Sequence, residues 1–401
     1  MPYVDDLADR RCFGRPRIAP MPSISGSRRA AGDSSAVPPG YVEVDFGAGP
    51  RLLEESTSVL SLKPADGLVP AQGAVDWSPL EALPDCLTVE WSGPERGIVD
   101  AVAAHPGIRF LYWDDAAGDI DLGSTRLSEV RLEGAGLRSL RLPDQIETLL
   151  LRRPPATLNV HAPNGGHRLD LRLFPYGPDV VIPDGLRRAS KLWLWVGGEV
   201  SMTVLAAMTD LEDLTITFDG APGALTDLRE LDRHSRLHSL RLDDAFGLDP
   251  ASLPELRSLR HLELNGTRRT TAAAVKGRFK GSAVTVSVSG AKSQAWLAAH
   301  MDNPFRDWVE DSEAYGRAAC AAYTRAMSAV NAIPSAAPDR LEAVERTLRG
   351  LVTDLNTVHD EHGPIETDDR EHAWYVFEEL ANRLQVPAPE ASRWFDEARR
   401  F

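Results

Sequence analysis

Few residues of this sequence have the types and spacing that catalysis needs, and Cys320 is the only conceivable nucleophile among them. A cysteine attacks a substrate as the thiolate, which forms where nearby groups stabilise its charge. Cys320 instead lies in a run of alanines, GRAACAAY (316–323), which is typical of an inert buried thiol on a helix. We therefore expect no catalytic residue here.

Metal and phosphate chemistry have equally weak candidates. His359 and His362 are the only close histidine pair, but a zinc site on one helical face usually needs an i, i+4 pair and a third ligand. VKGRFKGS (275–282) has glycines and lysines at the wrong spacing for a phosphate loop and fits a turn before a strand. The sequence predicts surface histidines, no metal site and no cofactor.

The residues best suited to binding are two tryptophans, Trp193 and Trp195, in SKLWLWVGG (190–198). Alternate residues of a strand share a face, so both indoles point the same way. Basic residues lie in the same or adjacent segments: Arg152, Arg168, Arg172 and Lys191. Neighbouring parallel strands are about 4.8 Å apart, so we expect Arg172 to reach the face of Trp195. Aromatic and arginine side chains together are typical of an interface hot spot.

The elements that position these residues recur along the chain as apolar pairs with one residue between them, at spacings of 19 to 26 residues. The pairs are Leu87/Val89, Leu111/Trp113, Val130/Leu132, Leu149/Leu151, Leu169/Leu171, Leu192/Leu194, Leu214/Ile216, Leu240/Leu242, Leu262/Leu264 and Val284/Val286. Rungs with this spacing fit a parallel stack better than a sandwich, which needs hairpin signals every 8–12 residues or so.

This pattern resembles the leucine-rich repeat, L-x-x-L-x-L-x-x-N, over roughly half of the chain. LRHLELNG (259–266) is its cleanest copy and includes Asn265, while the middle repeats in 136–151 look like the short bacterial form. The resemblance implies an α/β fold: a solenoid with a parallel sheet on its concave face and a mostly irregular convex side. Segments 222–234 and 250–258 are long enough for a helical or 3₁₀ turn on that side.

In such a repeat the two leucines point inward, and the residues between and after them point outward. The outward positions are mostly polar, but Leu150, Trp193 and Trp195 interrupt them. The predicted binding surface of the concave face consists of Trp193, Trp195, Leu150, Arg152, Arg168, Arg172, Lys191, Tyr112, Arg131 and Arg241.

Other interpretations of the tryptophans stay open. A register slip of one residue would turn the indoles inward, but it would expose Leu192, Leu194 and Val196 instead. The protein's own tail or helical region would cover the indoles without any partner, and simple partial exposure is the third alternative.

The chain divides into four predicted parts. Residues 1–40 have the composition of a disordered basic tail, or of an over-long gene start before Met21. Residues 41–84 read as an N-terminal cap of irregular strands, 85–302 as about ten repeats, and 303–401 as a small all-α bundle of three to four helices. Its first helix is expected to start at Asn303-Pro304 and run on to Ile333. The bundle either caps the repeats or offers a second interaction surface.

Composition sets limits on the partners. The net charge of −15 argues against wholesale binding of nucleic acid or anionic membranes, although a local basic patch remains possible. Three distant cysteines and the lack of a secretory leader or a long apolar stretch indicate a cytoplasmic protein. The few lysines, beside abundant arginine and alanine, suggest a bacterial source.

These observations predict a non-enzymatic scaffold that binds another protein through the concave face, with no small-molecule substrate. One alternative is an effector or enzyme with its activity in 303–401. Some bacterial effector ubiquitin ligases join leucine-rich repeats to a helical domain with a catalytic Cys-x-Asp, but Cys320-Ala321-Ala322 lacks that aspartate. The weakest alternative is nucleic-acid binding through the arginine cluster.

Overall fold

The computed structural model describes residues 37–175, 180–334 and 340–401. Within this part of the chain there are two compact units, divided between Gln294 and Ala295, which we call the sheet unit and the helical unit. The tail predicted for residues 1–40 lies, up to residue 36, outside the described residues.

The sheet unit is built from short strands. In chain order they are β1 (Tyr41–Val44), β2 (Arg51–Glu54), β3 (Val59–Leu62), β4 (Thr88–Ser92), β5 (Phe110–Asp114), β6 (Ala117–Asp121), β7 (Glu129–Glu133), β8 (Gly136–Arg141), β9 (Thr148–Arg152), β10 (Asn159–His161), β11 (Asp170–Phe174), β12 (Lys191–Val196), β13 (Glu199–Ser201), β14 (Asp213–Phe218), β15 (Ala224–Thr226), β16 (Ser239–Asp243), β17 (His261–Asn265) and β18 (Thr285–Ser289).

Eleven of these strands form one sheet in which every described pair is parallel. Their order follows the chain: β3, β4, β5, β7, β9, β11, β12, β14, β16, β17 and β18. A long parallel sheet is consistent with the resemblance to the leucine-rich repeat. It has one strand more than the ten predicted repeats, because β3 joins it from the segment predicted to be the N-terminal cap.

Two rows of apolar side chains line one face of this sheet and make its core. On β12 they are Leu192 and Leu194, which stand opposite Leu214 and Ile216 of β14. Because each strand stacks its pair on that of its neighbour, the rows run across all eleven strands into one hydrophobic core. Complete burial of one such side chain contributes about 1.5–3 kcal/mol, and no single repeat can bury its own pair.

The chain returns behind the core in two ways. In the middle repeats it is extended, and β6, β8 and β10 pair in parallel as a second small sheet. Elsewhere it turns through helices α1 (Ile98–Ala104) and α2 (Arg269–Arg278) and through 3₁₀ segments. Segment 222–234 contains the 3₁₀ helix Leu228–Arg233, whereas 250–258 contains only turns. The expected turn at 275–282 begins inside α2.

Three predicted pairs were displaced by two residues. Leu87 is 45% exposed and lies before β4, whose core pair is Val89 and Trp91. The core pair of β11 is Leu171 and Leu173 instead of Leu169 and Leu171. In β18 it is Val286 and Val288 instead of Val284 and Val286. A slip of two residues leaves every side chain on its predicted face but changes its neighbours across the sheet.

The helical unit has its own core. Its α-helices are α4 (Trp308–Asp311), α5 (Glu313–Ala332), α6 (Arg340–His362), α7 (Thr367–Arg383) and α8 (Ala388–Ala398), and a further helix, α3, spans Gln294–His300. Asn303 does cap the helical turn that begins at Pro304, since its side chain accepts a hydrogen bond from the N–H of Phe305 at 3.0 Å. The single helix expected up to Ile333 is wrong. Ser312 has an extended backbone and begins a new helix, α5, as its N-cap.

Candidate binding surface

The face of the parallel sheet opposite the core is the outer face, and its centre carries an aromatic cluster. We define the aromatic cluster as Phe174 of β11 with Trp193 and Trp195 of β12. Both tryptophans point away from the core, since Leu192, Leu194 and Val196 are buried. The two indole centroids are 6.4 Å apart with an interplanar angle of 22°, and the Phe174 centroid lies 6.2 Å from Trp193 and 5.5 Å from Trp195. The predicted direction of the indoles agrees with this arrangement.

Phe174 was missed because of the two-residue displacement in its repeat. With Leu171 and Leu173 as the core pair, Phe174 stands opposite Arg152 of β9. It is only 6% exposed, which makes it the buried base against which the half-buried indoles pack. The sequence LRLF (171–174) is compatible with this arrangement. If its second leucine is taken as a core residue, the phenyl ring falls on the outer face.

A chain of hydrogen bonds fixes the orientation of Trp193. Its Nε1–H donates to Oγ1 of Thr217 at 3.0 Å, and that hydroxyl donates to Oδ2 of Asp243 at 3.2 Å. Asn265 then donates to Asp243, and Ser289 donates to Asn265. The chain runs from β12 across β14, β16, β17 and β18, so one indole is held by side chains of four other strands.

Trp195 has no comparable anchor. Within the described residues, nothing accepts a hydrogen bond from its indole N–H. The ring is half-buried and is held by packing on Phe174 and Trp193. Its N–H is therefore a donor that water or a ligand can use.

Arg172 contacts the tryptophan next to it and not the predicted one. Its guanidinium carbon lies 5.8 Å from the ring centroid of Trp193, because Arg172 and Trp193 are direct partners across the sheet. Asp170, two residues earlier on the same strand, accepts from Nη2 of Arg172 at 2.9 Å. The expected contact with Trp195 was based on the displaced register.

Arg152 and Leu150 are more deeply covered than a solvated sheet face would have them. Leu150 is 7% exposed and Arg152 is 8% exposed. The guanidinium carbon of Arg152 lies 5.5 Å from the ring centroid of Phe174, and its Nη1 lies 3.8 Å from Oε2 of Glu133. Arg152 thus packs on the ring of Phe174, and Leu150 lies opposite Arg172 on the neighbouring strand.

Tyr112 and Arg131 continue the surface towards the first strands. The guanidinium carbon of Arg131 lies 5.8 Å from the ring centroid of Tyr112, whose hydroxyl donates to Oε1 of Glu129 at 3.2 Å. Burial, together with the negative charge of Glu129, raises the pKa of Tyr112 to about 12, so the hydroxyl stays protonated at neutral pH. Burial and the nearby charge of Arg152 lower the pKa of Arg131.

Three predicted site residues lie away from the aromatic cluster. Arg168 is exposed and precedes β11, at the opposite end of the strand from Phe174. Lys191 is the first residue of β12, beside Asp170 and Asp213 in the register. Arg241 is three strands from Phe174 and is paired with Asp243 at 3.0 Å. The surface that the structure brings together is therefore smaller than the predicted one.

Cys320, which was considered for catalysis, is buried, and His359, which was considered for metal binding, makes a hydrogen bond to the backbone. Burial raises the pKa of the Cys320 thiol to about 12, so almost none of it is thiolate at pH 7. Nδ1 of His359 accepts a hydrogen bond from the N–H of Ile365 at 3.0 Å, just beyond the end of α6. No group of three metal-ligating side chains occurs in the described ranges. Among the helices there, none is long and apolar enough to cross a membrane.

Comparison with known proteins adds little to this description. No family model matches the chain, and no curated protein is similar to it. One solved structure that matches is an internalin from Listeria monocytogenes, with 16% sequence identity and a TM-score of 0.30. The match covers 60% of this chain and 84% of the internalin chain. At this level of similarity the internalin carries no information about the partner of this protein.

Proposed function

We propose that this protein is a leucine-rich-repeat scaffold that binds another protein through the outer face of its parallel sheet. The aromatic cluster is the centre of the binding surface, and the outer face is the concave side of the repeat array. The role is one of binding without catalysis, in a reducing cytoplasm. The free thiols of Cys86 and Cys320 support that compartment.

The observation that carries this proposal is the pre-organised pair of indoles. Trp193 and Trp195 stack on each other and on the buried ring of Phe174, and the hydrogen bond to Thr217 orients Trp193. Rigid aromatic side chains lose little conformational entropy on binding, which is why tryptophan and arginine are enriched among hot spots. Polar neighbours such as Thr217 and Asp243 surround the indoles and form the rim that a protein interface needs.

The experiment compares partner recovery between variants of the full chain. Tagged wild type, the double variant Trp193→Ala/Trp195→Ala, and the control Thr285→Ala/Ser287→Ala are expressed in cells of a bacterial host. The control changes the same face of the sheet on its last strand, β18. Proteins that co-purify are quantified by mass spectrometry.

We expect at least one protein to be recovered with the wild type and the control and to be depleted about tenfold or more with the double tryptophan variant. Circular dichroism verifies that all three chains are folded. Equal recovery of partners by a folded double variant would show that the aromatic cluster is not part of the interface. A shorter chain that begins at residue 37 shows whether residues 1–36 compete for the same surface, because their loss would then increase recovery.

A further inference from the structure

The two ends of the eleven-stranded sheet carry opposite charges. At the β18 end, residues 264–294 contain six basic residues and no acidic one, although the whole chain has a net charge of −15. At the β3 end, residues 41–76 contain six acidic residues and two basic ones. Charge is therefore separated between the first and the last repeat of the sheet unit.

Helix α2 directs part of the positive charge away from the preceding repeats. Nη1 of Arg278 donates to the carbonyl oxygen of Pro250, in the preceding return segment, at 2.9 Å. Arg269 and Lys276 are nine and two residues before Arg278, which at 3.6 residues per turn places both on the opposite side of the helix. On that side, Nε of Arg269 donates to the carbonyl oxygen of Ala291, just after β18, at 3.2 Å. These cations therefore face the end of the sheet unit.

We define the basic end as Arg269, Lys276 and Lys280. All three side chains are exposed, and in the described ranges none of them has a carboxylate partner. The acidic residues of the preceding return segment, Asp249 and Glu255, belong to the other side of α2, where Arg278 lies. Exposed cations of this kind attract a negatively charged surface, and added salt weakens the attraction.

The hydrophobic core is also only partly covered at the β18 end. Val286 and Val288 of β18 are half-buried, whereas their neighbours on β17, Leu262 and Leu264, are 1% and 0% exposed. β18 is the last strand of the sheet. Because the end of a repeat stack has an apolar face and an unpaired strand edge, it favours contact with another surface.

We define the acidic end as Glu43, Glu54 and Glu55, on and directly after the hairpin of β1 and β2. The three side chains are exposed, and none has a cationic partner among the described residues. The hairpin packs on the segment that joins β3 to β4, since the N–H of Asp76 donates to the carbonyl oxygen of Phe46 at 3.2 Å. The glutamates therefore belong to the first repeat, and β3 is the strand at that end of the sheet.

The β3 end also exposes apolar side chains. Tyr41 and Val59 are each 40% exposed, and Leu87, directly before β4, is 45% exposed. Of the two basic residues at this end, Lys63 is already paired with Asp114 at 3.0 Å. Both ends of the sheet unit thus combine an uncompensated charge with incompletely buried apolar groups.

From these observations we propose that copies of this chain associate head to tail, with the basic end of one copy on the acidic end of the next. The opposite charges set the orientation, and the half-buried valines of β18 meet the exposed Tyr41 and Val59 of the next copy. An interface between two different surfaces of one protein gives open chains of copies, or rings where the rotation closes. The proposal goes beyond the proposed function and does not rest on it, because the aromatic cluster lies on the central strands.

The test is sedimentation velocity of the full chain over about a hundredfold range of concentration. It is done at about 0.1 M and about 1 M salt, where screening limits charge interactions to about 10 Å and about 3 Å. One variant, Lys276→Glu/Lys280→Glu, reverses the basic end. A second variant, Glu43→Lys/Glu55→Lys, reverses the acidic end. The four side chains are exposed, so we expect both variants to fold, which circular dichroism verifies.

The control is Arg126→Glu/Arg229→Glu, which makes the same change of net charge as the first variant at exposed positions of inner repeats. We expect the wild type and the control to sediment faster as the concentration rises, and less so at high salt. Each reversed variant needs a concentration about tenfold higher or more to associate, because like charges then face each other.

An equimolar mixture of the two reversed variants should recover the association, because every end then meets an end of opposite charge. A loss of folding cannot produce this recovery. A wild type that stays monomeric at every concentration at low salt would overturn the proposal. Association that neither reversal weakens, or a mixture that stays monomeric, would overturn it as well.

A different ligand of the basic end has its own signature. Nucleic acid that co-purifies with the wild type and is lost with Lys276→Glu/Lys280→Glu, while the nucleic-acid-free protein is monomeric, would show that these lysines bind phosphate. That result would also overturn head-to-tail association. Failure of the proposed function is separate, because it appears as equal partner recovery by the double tryptophan variant.

Discussion

In each of the two units a tryptophan packs beside other aromatic rings, but the two tryptophans differ in how deeply they are buried. In the helical unit, Phe305 and Trp308 are buried, and Nε1 of Trp308 donates to Nδ1 of His372 at 3.0 Å. In the sheet unit, Trp193 has an equally good hydrogen bond, to Thr217, but its side chain is only half-buried. The hydrogen bond of the indole therefore indicates an ordered ring in both units. Partial exposure of the ring distinguishes a surface that can bind a partner from a core.

The largest contrast is expected from removing one ring in each unit. Phe305→Ala deletes a side chain that is 0% exposed, and we expect it to lower the free energy of unfolding by about 3–5 kcal/mol through lost burial and a cavity. Trp195→Ala removes a half-buried ring, and the expected loss is about 1–2 kcal/mol. Denaturant unfolding followed by circular dichroism measures both. Leu341→Ala, at a 58% exposed position of the helical unit, is the control. Similar losses for the two aromatic variants would contradict the contrast.

A second prediction concerns the close packing of backbone segments behind the core of the sheet unit. A Cβ atom on Gly185 would lie 1.6 Å from the carbonyl oxygen of Val160 in the preceding return segment. We expect Gly185→Ala to lower the free energy of unfolding by about 2 kcal/mol or more, because both backbones would have to move apart. Gly197→Ala, where a Cβ meets nothing within 4 Å, is the matched control. If thermal unfolding gave the same midpoint for both variants, the stacking of return segments would not be tight.

The hydrogen bond that orients Trp193 can be removed without changing the ring. Thr217→Val keeps the shape of the side chain but leaves the indole N–H and Asp243 without the shared hydroxyl. We expect a loss of about 1 kcal/mol in the free energy of unfolding and an altered near-ultraviolet circular dichroism signal from the indoles. Thr215→Val, on the same strand and face, is the control. An unchanged signal would mean that packing alone orients the ring.

The smallest predicted effect is a pH dependence of the sheet unit. His234 is buried, neither ring nitrogen has a partner among the described residues, and burial lowers its pKa below the usual 6.5. Glu230 opposes this shift, and Arg233 adds to it. The unfolded chain then takes up a proton that the folded unit refuses, so the free energy of unfolding falls as the pH drops below about 6.5. His234→Leu should flatten this slope between pH 7 and pH 5. If the substitution left the slope unchanged, the pH dependence would come from other titratable groups.

Side chains of a strand alternate between two faces with a period of two residues, and this period limits how much of the structure the sequence predicts. Spacing and alternation place Leu192 and Leu194 in the core and Trp193 and Trp195 on the outer face, and the structure agrees. The same alternation cannot distinguish Leu169/Leu171 from Leu171/Leu173, because a slip of two preserves every face. Phe174 was missed and Arg172 was paired with the wrong indole for this reason. Only the stacking of neighbouring strands selects the register.

Other differences come from interactions between segments that are distant in the sequence. Arg152 is buried against Phe174, which belongs to the next strand. The single helix predicted from Asn303-Pro304 to Ile333 runs through Ser312, but Ser312 is the N-cap of a new helix. Short caps of this kind compete with helical periodicity and are decided by local hydrogen bonds.

The hydrogen-bond chain from Trp193 to Ser289 has a consequence for anyone who would transplant this surface to another scaffold. The residues that hold one indole come from four other strands, so a copy of β11 and β12 alone would transfer the rings without the side chains that orient them. A working graft has to carry β11 through β18 as a block. In a comparison of variants, a change at Ser289 belongs with changes at the tryptophans, although 96 positions separate Ser289 from Trp193.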